Sequence, residues 1–219
     1  PRILSTPPFI AYLKIAEGCS NGCTFCTVPK IRGPYRSRRI RSVSEEAKRL
    51  ANQGVQELIL IAQDTTSYGG DLRDGADLEK LLKHLVKVEG LRWIRILYSY
   101  PRADGLTDGL LELIAQEEKI CSYLDLPLQH ADDEILKRMG RRSTGAEIRS
   151  LLRKIRAFVP EISLRSSLIV GFPGEKKSQF KALLNYVEED QFDPLGAFTY
   201  TPEEGTPASR LPHPVPEGV

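Results

Sequence analysis

Three of the chain's four cysteines fall in the stretch Glu17-Gly18-Cys19-Ser20-Asn21-Gly22-Cys23-Thr24-Phe25-Cys26. Thiols this crowded read as metal ligands rather than core residues, and the Gly18, Ser20, Asn21 and Gly22 between them suit a chain that bends until its sulfurs converge. A structural zinc site takes four ligands, usually as two separated pairs. Here three cysteines cluster with the spacing C-x3-C-x2-C. That fits an iron-sulfur cube better, because three thiolates leave one iron without a protein ligand and open to a small molecule. A zinc site completed by the distant Cys121 or His130 is the alternative that spacing leaves open. An open metal corner is a catalytic feature, whereas a closed zinc site is structural.

Such a loop needs a scaffold, and the flanking sequence supplies one. A run rich in strand formers, Phe9 to Ile15, ends where the cysteine loop begins. Ser42-x-x-Glu45 reads as a capping box for a helix that stops at Gly54, and Gln56 to Ala62 is a second strand of buried type. The alternation continues. Asp77 caps a helix with Leu78, Leu81, Leu82 and Leu85 on one face, followed by a strand from Trp93 to Leu97. Thr107 caps the next, with Leu110, Leu111 and Ile114 inward, before a strand from Ser122 to Leu126. Thr144-x-x-Glu147 is a second capping box, opening a helix with Ile148, Leu151, Leu152 and Ile155 on one side. A strand from Ser163 to Val170, a helix with Phe180, Leu183, Leu184 and Val187 inward, and a last strand from Leu195 to Thr201 complete the series.

Strands alternating with amphipathic helices imply an α/β fold with parallel pairing through right-handed crossovers. Six units are too few for a closed eight-stranded barrel, so the expected fold is an open or partial (βα)6 barrel with parallel strands. Functional groups in such folds collect on the loops after the carboxyl ends of the strands. Those loops carry Gln63-Asp64-Thr65-Thr66-Ser67-Tyr68-Gly69, Tyr98-Ser99-Tyr100-Pro101-Arg102, Pro127-Leu128-Gln129-His130 and Gly171-Phe172-Pro173-Gly174-Glu175. Together they predict a lined pocket above the cysteines. Cys121, outside the cluster, reads as a small buried hydrophobe.

Thirty-one basic residues against 29 acidic give a net charge of +2, so the whole chain is not a polyanion binder. Lys30, Arg32, Arg36, Arg38, Arg39 and Arg41, however, follow the cysteine loop with no acidic residue among them. This segment, 30–41, reads equally as a solvated rim or as a surface that comes close to RNA. No apolar run has the length of a membrane span, and thiols meant for a cluster fit a reducing, cytoplasmic compartment. Pro202, Pro207, Pro212, Pro214 and Pro216 make residues 202–219 a Pro-rich linker toward an absent carboxyl-terminal domain, with residues 1–201 as the core domain.

The pattern C-x3-C-x-aromatic-C, with Phe25 before the last cysteine, closely resembles the signature of radical S-adenosylmethionine (SAM) enzymes. The resemblance implies a partial radical SAM barrel, a [4Fe-4S] cluster on Cys19, Cys23 and Cys26, and SAM chelated to the fourth iron. It implies SAM cleavage to a 5′-deoxyadenosyl radical that abstracts hydrogen from an unreactive carbon. The stretches EGCSNGCTFC, IRG at Ile31-Arg32-Gly33, AQDTTSYG, LDLPLQH, LRSSLIVGFPGE and YTPEEGTPA are similar to the methylthiotransferases within that family, which replace C-H by C-S-CH3. One branch modifies an aspartate of a small-subunit ribosomal protein, the other an isopentenyl adenosine of tRNA. Tyr98-Ser99-Tyr100-Pro101 and Glu203-Glu204-Gly205-Thr206 resemble the aspartate branch.

Carried over by resemblance, Phe25 lies beside the SAM adenine and Gln63 and Asp64 contact the methionine amino group, a carboxylate facing an ammonium. Gln129 and Arg165 point in from later strand ends, with Arg165 able to pair the methionine carboxylate or to form a structural ion pair. Gly171 and Gly174 allow close approach to adenine and ribose, and Tyr200 is placed to stack on adenine. His130 is expected to hydrogen-bond rather than act as a base. Radical SAM enzymes also imply a one-electron donor such as a flavodoxin or ferredoxin. Whole methylthiotransferases add an amino-terminal domain with three further cysteines and a carboxyl-terminal substrate-docking domain, neither of which is in this sequence. This chain is therefore expected to bind and cleave SAM without completing sulfur insertion.

Overall fold

The computed structural model describes residues 4–190, 192–216 and 218. Strand β1 (Ile10–Lys14) leads into a two-residue antiparallel ladder, β2 (Ala16–Glu17) with β3 (Arg36–Ser37), which encloses the cysteine loop and helix α1 (Val28–Arg32). Helix α2 (Ile40–Asn52), β4 (Glu57–Ile61), α3 (Leu78–Leu85), β5 (Trp93–Ile96), α4 (Asp108–Gln116) and β6 (Ile120–Asp125) follow. Then come α5 (Asp133–Arg138), α6 (Gly145–Phe158), β7 (Ser163–Val170), α7 (Lys177–Asp190) and β8 (Leu195–Thr199). Six strands form one all-parallel sheet in the order β1-β4-β5-β6-β7-β8. Each new strand adds at the same edge, and β1 does not pair with β8, so the sheet is an open partial barrel as expected.

Period-two patterning decides which face is which. Ala11 and Leu13 of β1, and Leu164, Ser166 and Leu168 of β7, are buried toward the helices. The apolar ones share a single core with Leu78, Leu81, Leu82 and Leu85 of α3 and Ile148, Leu151, Leu152 and Ile155 of α6, all buried, each of these leucines and isoleucines worth about 1.5–3 kcal/mol. The opposite face is polar: Arg95 Nε donates to Glu57 Oε1 at 2.8 Å, and the Arg95 guanidinium lies 5.2 Å from the Tyr123 ring centroid.

Four expectations are corrected. Ser42 does not cap α2: the helix begins at Ile40, with extended Arg39 at its N-cap and no side-chain cap bond. Ser42 Oγ instead accepts from Arg38 Nη2 at 3.0 Å, and Glu45 pairs with Arg41 at 2.8 Å. On α7 the buried positions are Gln179, Leu183 and Tyr186, while Phe180 and Leu184 are 41% and 48% exposed. Tyr186 on the buried stripe packs under the Arg149 guanidinium, 4.2 Å from its ring centroid. Cys121 lies within β6 and is only half-buried. The Pro-rich segment packs on the domain well past residue 202: Thr206 and Ala208 are buried, Ala208 N donates to Thr24 O at 2.9 Å, and Gly174 N donates to His213 O at 2.7 Å.

Candidate metal and cofactor site

The cysteine loop is held from four directions. Cys19 N donates to Gly33 O at 3.1 Å, Thr24 N to Met139 O at 2.9 Å, and Thr24 Oγ1 to Arg138 O at 2.7 Å. Asn21 Nδ2 donates to Asp64 Oδ2 at 2.7 Å, and Ala208 N closes the outer side on Thr24 O. Gly18, at φ +79°, lies so close to the Pro34 and Gly33 carbonyls that a Cβ would collide with them. The thiols thus sit on a fixed frame.

Cys19, Cys23 and Cys26 line one cavity of about 350 Å³ together with Asn21, Phe25, Val28, Ala62, Gln63, Tyr98, Ser99, Tyr100, Pro127, Gln129 and Arg141. Burial pushes the Cys19 and Cys26 thiols up from their ordinary range, and for Cys19 the neighbouring Asp64, Cys23 and Cys26 add to the rise. A metal that binds the thiolates displaces those protons. Two non-glycine wall residues occupy the left-handed region, Tyr98 at φ 59° and Gln129 at φ 74°. Each is pinned: Tyr98 N donates to Asp125 Oδ2 at 3.2 Å, and Tyr98 O accepts from Thr65 N at 3.0 Å. Gln129 N donates to Ser167 O at 2.9 Å and its carbonyl accepts from Ile169 N at 2.8 Å, tying the loop after β6 to β7.

Of the residues expected at the site, Phe25, Gln63 and Gln129 join the cysteines around this cavity. Asp64 lies beneath it, fully buried. Its carboxylate accepts from Asn21 Nδ2, from Thr66 N and Oγ1 at 3.0 and 2.5 Å, and from Ser67 N and Oγ at 3.3 and 2.7 Å. Gly171 and Tyr200 line a neighbouring cleft with Glu175, Lys177 and Phe180, and Gly174 abuts the Arg138 guanidinium. Tyr200 is linked to the cysteine loop by stacked edges: its ring lies 5.1 Å from Phe172, which lies 6.5 Å from Phe25. Arg165 sits on the polar face, paired in register with Asp125 and close enough to Tyr123 to lower its hydroxyl against the upward push of burial. Tyr98 lines the wall from a loop expected to do so, whereas Asn21, read only as a loop former, and Arg141, not singled out at all, are wall residues that sequence reasoning missed. The two-residue spacing of Asn21 from Cys19, with Asn21 N directed at the Cys19 sulfur at 3.5 Å, was the available signal for one of them.

The donor set fits an iron-sulfur cluster. Three soft thiols border a single cavity, and the buried Gln63 Oε1 on its wall has no hydrogen-bond partner. Among the described residues no three Cys, His, Asp or Glu groups close on the position of a single ion. The proposed completions of a zinc site are elsewhere: Cys121 does not line the cavity, and His130 is fully buried. The His130 Nδ1 accepts from Asp132 N at 3.0 Å and its Nε2 lies 3.4 Å from Glu175 Oε1.

A sequence model of the Radical SAM superfamily matches residues 13–187. The chain belongs to the radical SAM superfamily. Ribosomal protein uS12 methylthiotransferase RimO of Geotalea uraniireducens is 56% identical over 219 residues, covering 100% of this radical SAM chain and 48% of the relative. The protein of the same name from Clostridioides difficile is 51% identical over 219 residues, covering 49% of its length. The chain thus spans about half the length of the curated relatives it matches. Among solved structures, the radical SAM methyltransferase TsrM from Kitasatospora setae superposes with a TM-score of 0.74 at 19% identity, over 91% of this chain and 38% of that one. Methylornithine synthase PylB superposes with a TM-score of 0.61 at 18% identity, over 92% and 56%. At these identities the structures show the fold alone, the partial barrel that the strand-helix alternation predicts and the family resemblance implies.

The basic segment is largely spent on internal contacts. Lys30 donates to Gly205 O, Arg32 pairs with Glu17 at 3.8 Å, Arg38 with Glu46 at 2.7 Å and Arg41 with Glu45 at 2.8 Å. Arg36 and Arg39 are exposed. No helix among the described residues is long and apolar enough to cross a membrane.

Proposed function

We propose that this chain is the cluster- and SAM-binding domain of a methylthiotransferase that replaces a C-H bond of an aspartate in ribosomal protein uS12 with C-S-CH3. The observation that carries the reading is 56% identity across all 219 residues to a relative of that name, with three thiols on one cavity as its chemical counterpart. When bound, a [4Fe-4S] cluster and SAM supply hydrogen abstraction from an unactivated carbon. The chain's own residues bind and orient. Cys19, Cys23 and Cys26 would hold the cluster, and three thiolates would leave it open to SAM. Gln63 offers its free acceptor to the SAM amino group, and Asp64 acts on that corner through Asn21. Phe25, Gln129, Gly171, Gly174 and Tyr200 are assigned to the nucleoside, and Arg165 to the methionine carboxylate.

The electron donor in this reading is a small flavin or iron-sulfur carrier, a flavodoxin or ferredoxin, in a reducing cytoplasm. Proximity to ribosomal RNA falls to Arg36 and Arg39. The test is anaerobic reconstitution with iron and sulfide, then reduction with SAM and uS12 present. About four irons per chain and release of 5′-deoxyadenosine are expected, with no methylthiolated uS12 until the chain is extended to the length of its relatives. Zinc with intact SAM would overturn the enzyme reading, and a modified tRNA adenosine from the extended protein would overturn the substrate.

A further inference from the structure

Arg141 is an uncompensated charge at the cysteine cavity. It follows α5, where Gly140, at φ +70°, presses against the cysteine loop so closely that a Cβ would lie 2.7 Å from Gly22 O and 3.3 Å from Thr24 N. That docking, with Thr24 N on Met139 O, carries Arg141 to the cavity wall. Its guanidinium is then fixed on three sides. Nη2 donates to Pro127 O at 2.7 Å, the central carbon lies 3.9 Å from the Tyr100 ring centroid, and Nη1 points at the Cys23 sulfur at 3.7 Å, within the range of an N-H···S bond. None of the ion pairs among the described residues involves Arg141. Burial raises the Tyr100 hydroxyl, and the Arg141 guanidinium over its ring works against that rise.

We infer that Arg141 is a positioning residue that tunes the reduction potential of the cluster through Cys23. Hydrogen bonds to cluster sulfurs and nearby positive charge both favour the more negative, reduced form, and so raise the midpoint potential. Arg141 supplies both to one ligand of three. The fork is needed in full, because one nitrogen is anchored on Pro127 O while the other faces the sulfur. The inference rests on the cluster reading of the three cysteines.

The test is a redox titration of the reconstituted chain without SAM, followed by low-temperature electron paramagnetic resonance with dithionite-poised mediators as the one-electron source. In Arg141→Gln the midpoint is expected to move to more negative potential and the g values of the reduced cluster to shift. In Arg141→Lys, which keeps the charge but offers one nitrogen for two acceptors, a smaller shift in the same direction is expected. If Arg141→Gln does not retain its irons, Arg141→Lys is read alone. Unchanged midpoint and g values in a variant that holds its irons would overturn the inference. So would an unchanged midpoint with SAM affinity lowered several-fold, which would make Arg141 a SAM contact. A parent chain that takes up no iron fails differently: it removes the cluster reading itself.

Discussion

The cysteine-loop end of the sheet and its β8–α7 edge are built on opposite terms. Around the cysteine loop the frame is densely hydrogen-bonded, with Asp64 accepting from three side chains and two backbone amides, and the chain passes too close to Pro34 and Gly22 for any side chain at Gly18 or Gly140. At the β8–α7 edge, apolar side chains face outward: Phe180, Leu184, Leu195 and Phe198 are 41%, 48%, 38% and 59% exposed. One region is over-determined and tolerates no change; the other has slack. A site that holds reactive groups in fixed geometry needs the first arrangement, whereas an edge strand without a neighbour has nothing to enforce it.

Substitutions at the two regions sharpen that contrast. The largest effect is expected at the thiols: Cys23→Ser should release iron and lower 5′-deoxyadenosine formation roughly 100-fold or more, read by metal analysis and product chromatography, while the melting temperature of the apo chain stays near the parent's. Gly18→Ala comes next. The collision with Pro34 O and the positive φ together should lower stability by about 2–3 kcal/mol, seen as a lower midpoint in urea. Asp64→Ala leaves the Asn21, Thr66 and Ser67 donors without their acceptor and should lower stability by about 2 kcal/mol, with weaker iron retention because Asn21 is freed beside Cys19. At the other edge, Leu184→Gln should move stability by no more than about 0.5 kcal/mol. A loss at Leu184 as large as at Gly18 would break the comparison.

How much of this was legible follows from the same contrast. The cysteine spacing, the strand alternation and the caps at Asp77, Thr107 and Thr144 were readable because each is a local pattern whose partner lies a few residues away; all three caps form as expected, Thr144 as a full capping box. Ser42 failed because the helix already begins at Ile40, which places Ser42 inside its first turn, where its hydroxyl accepts from Arg38. Phe180 and Leu184 failed because α7 carries two apolar stripes, and the one that is buried, with Leu183 and Tyr186, is settled by packing against distant elements of the core. Arg141 was invisible for the same reason. Nothing near it in sequence points to Cys23, and only the docking of Gly140 on the cysteine loop brings the two together. The Pro-rich tail reads as a linker by composition, yet Thr206 and Ala208 are buried against the domain.

The central claim is that three thiols on one cavity hold a cluster with an iron open to SAM. Its most direct test is electron paramagnetic resonance of the reduced, reconstituted chain with and without SAM, with iron and zinc counted on the same sample. About four irons per chain and a signal whose g values shift when SAM is added are expected. Bound zinc with no iron signal, or an iron signal indifferent to SAM, would contradict it.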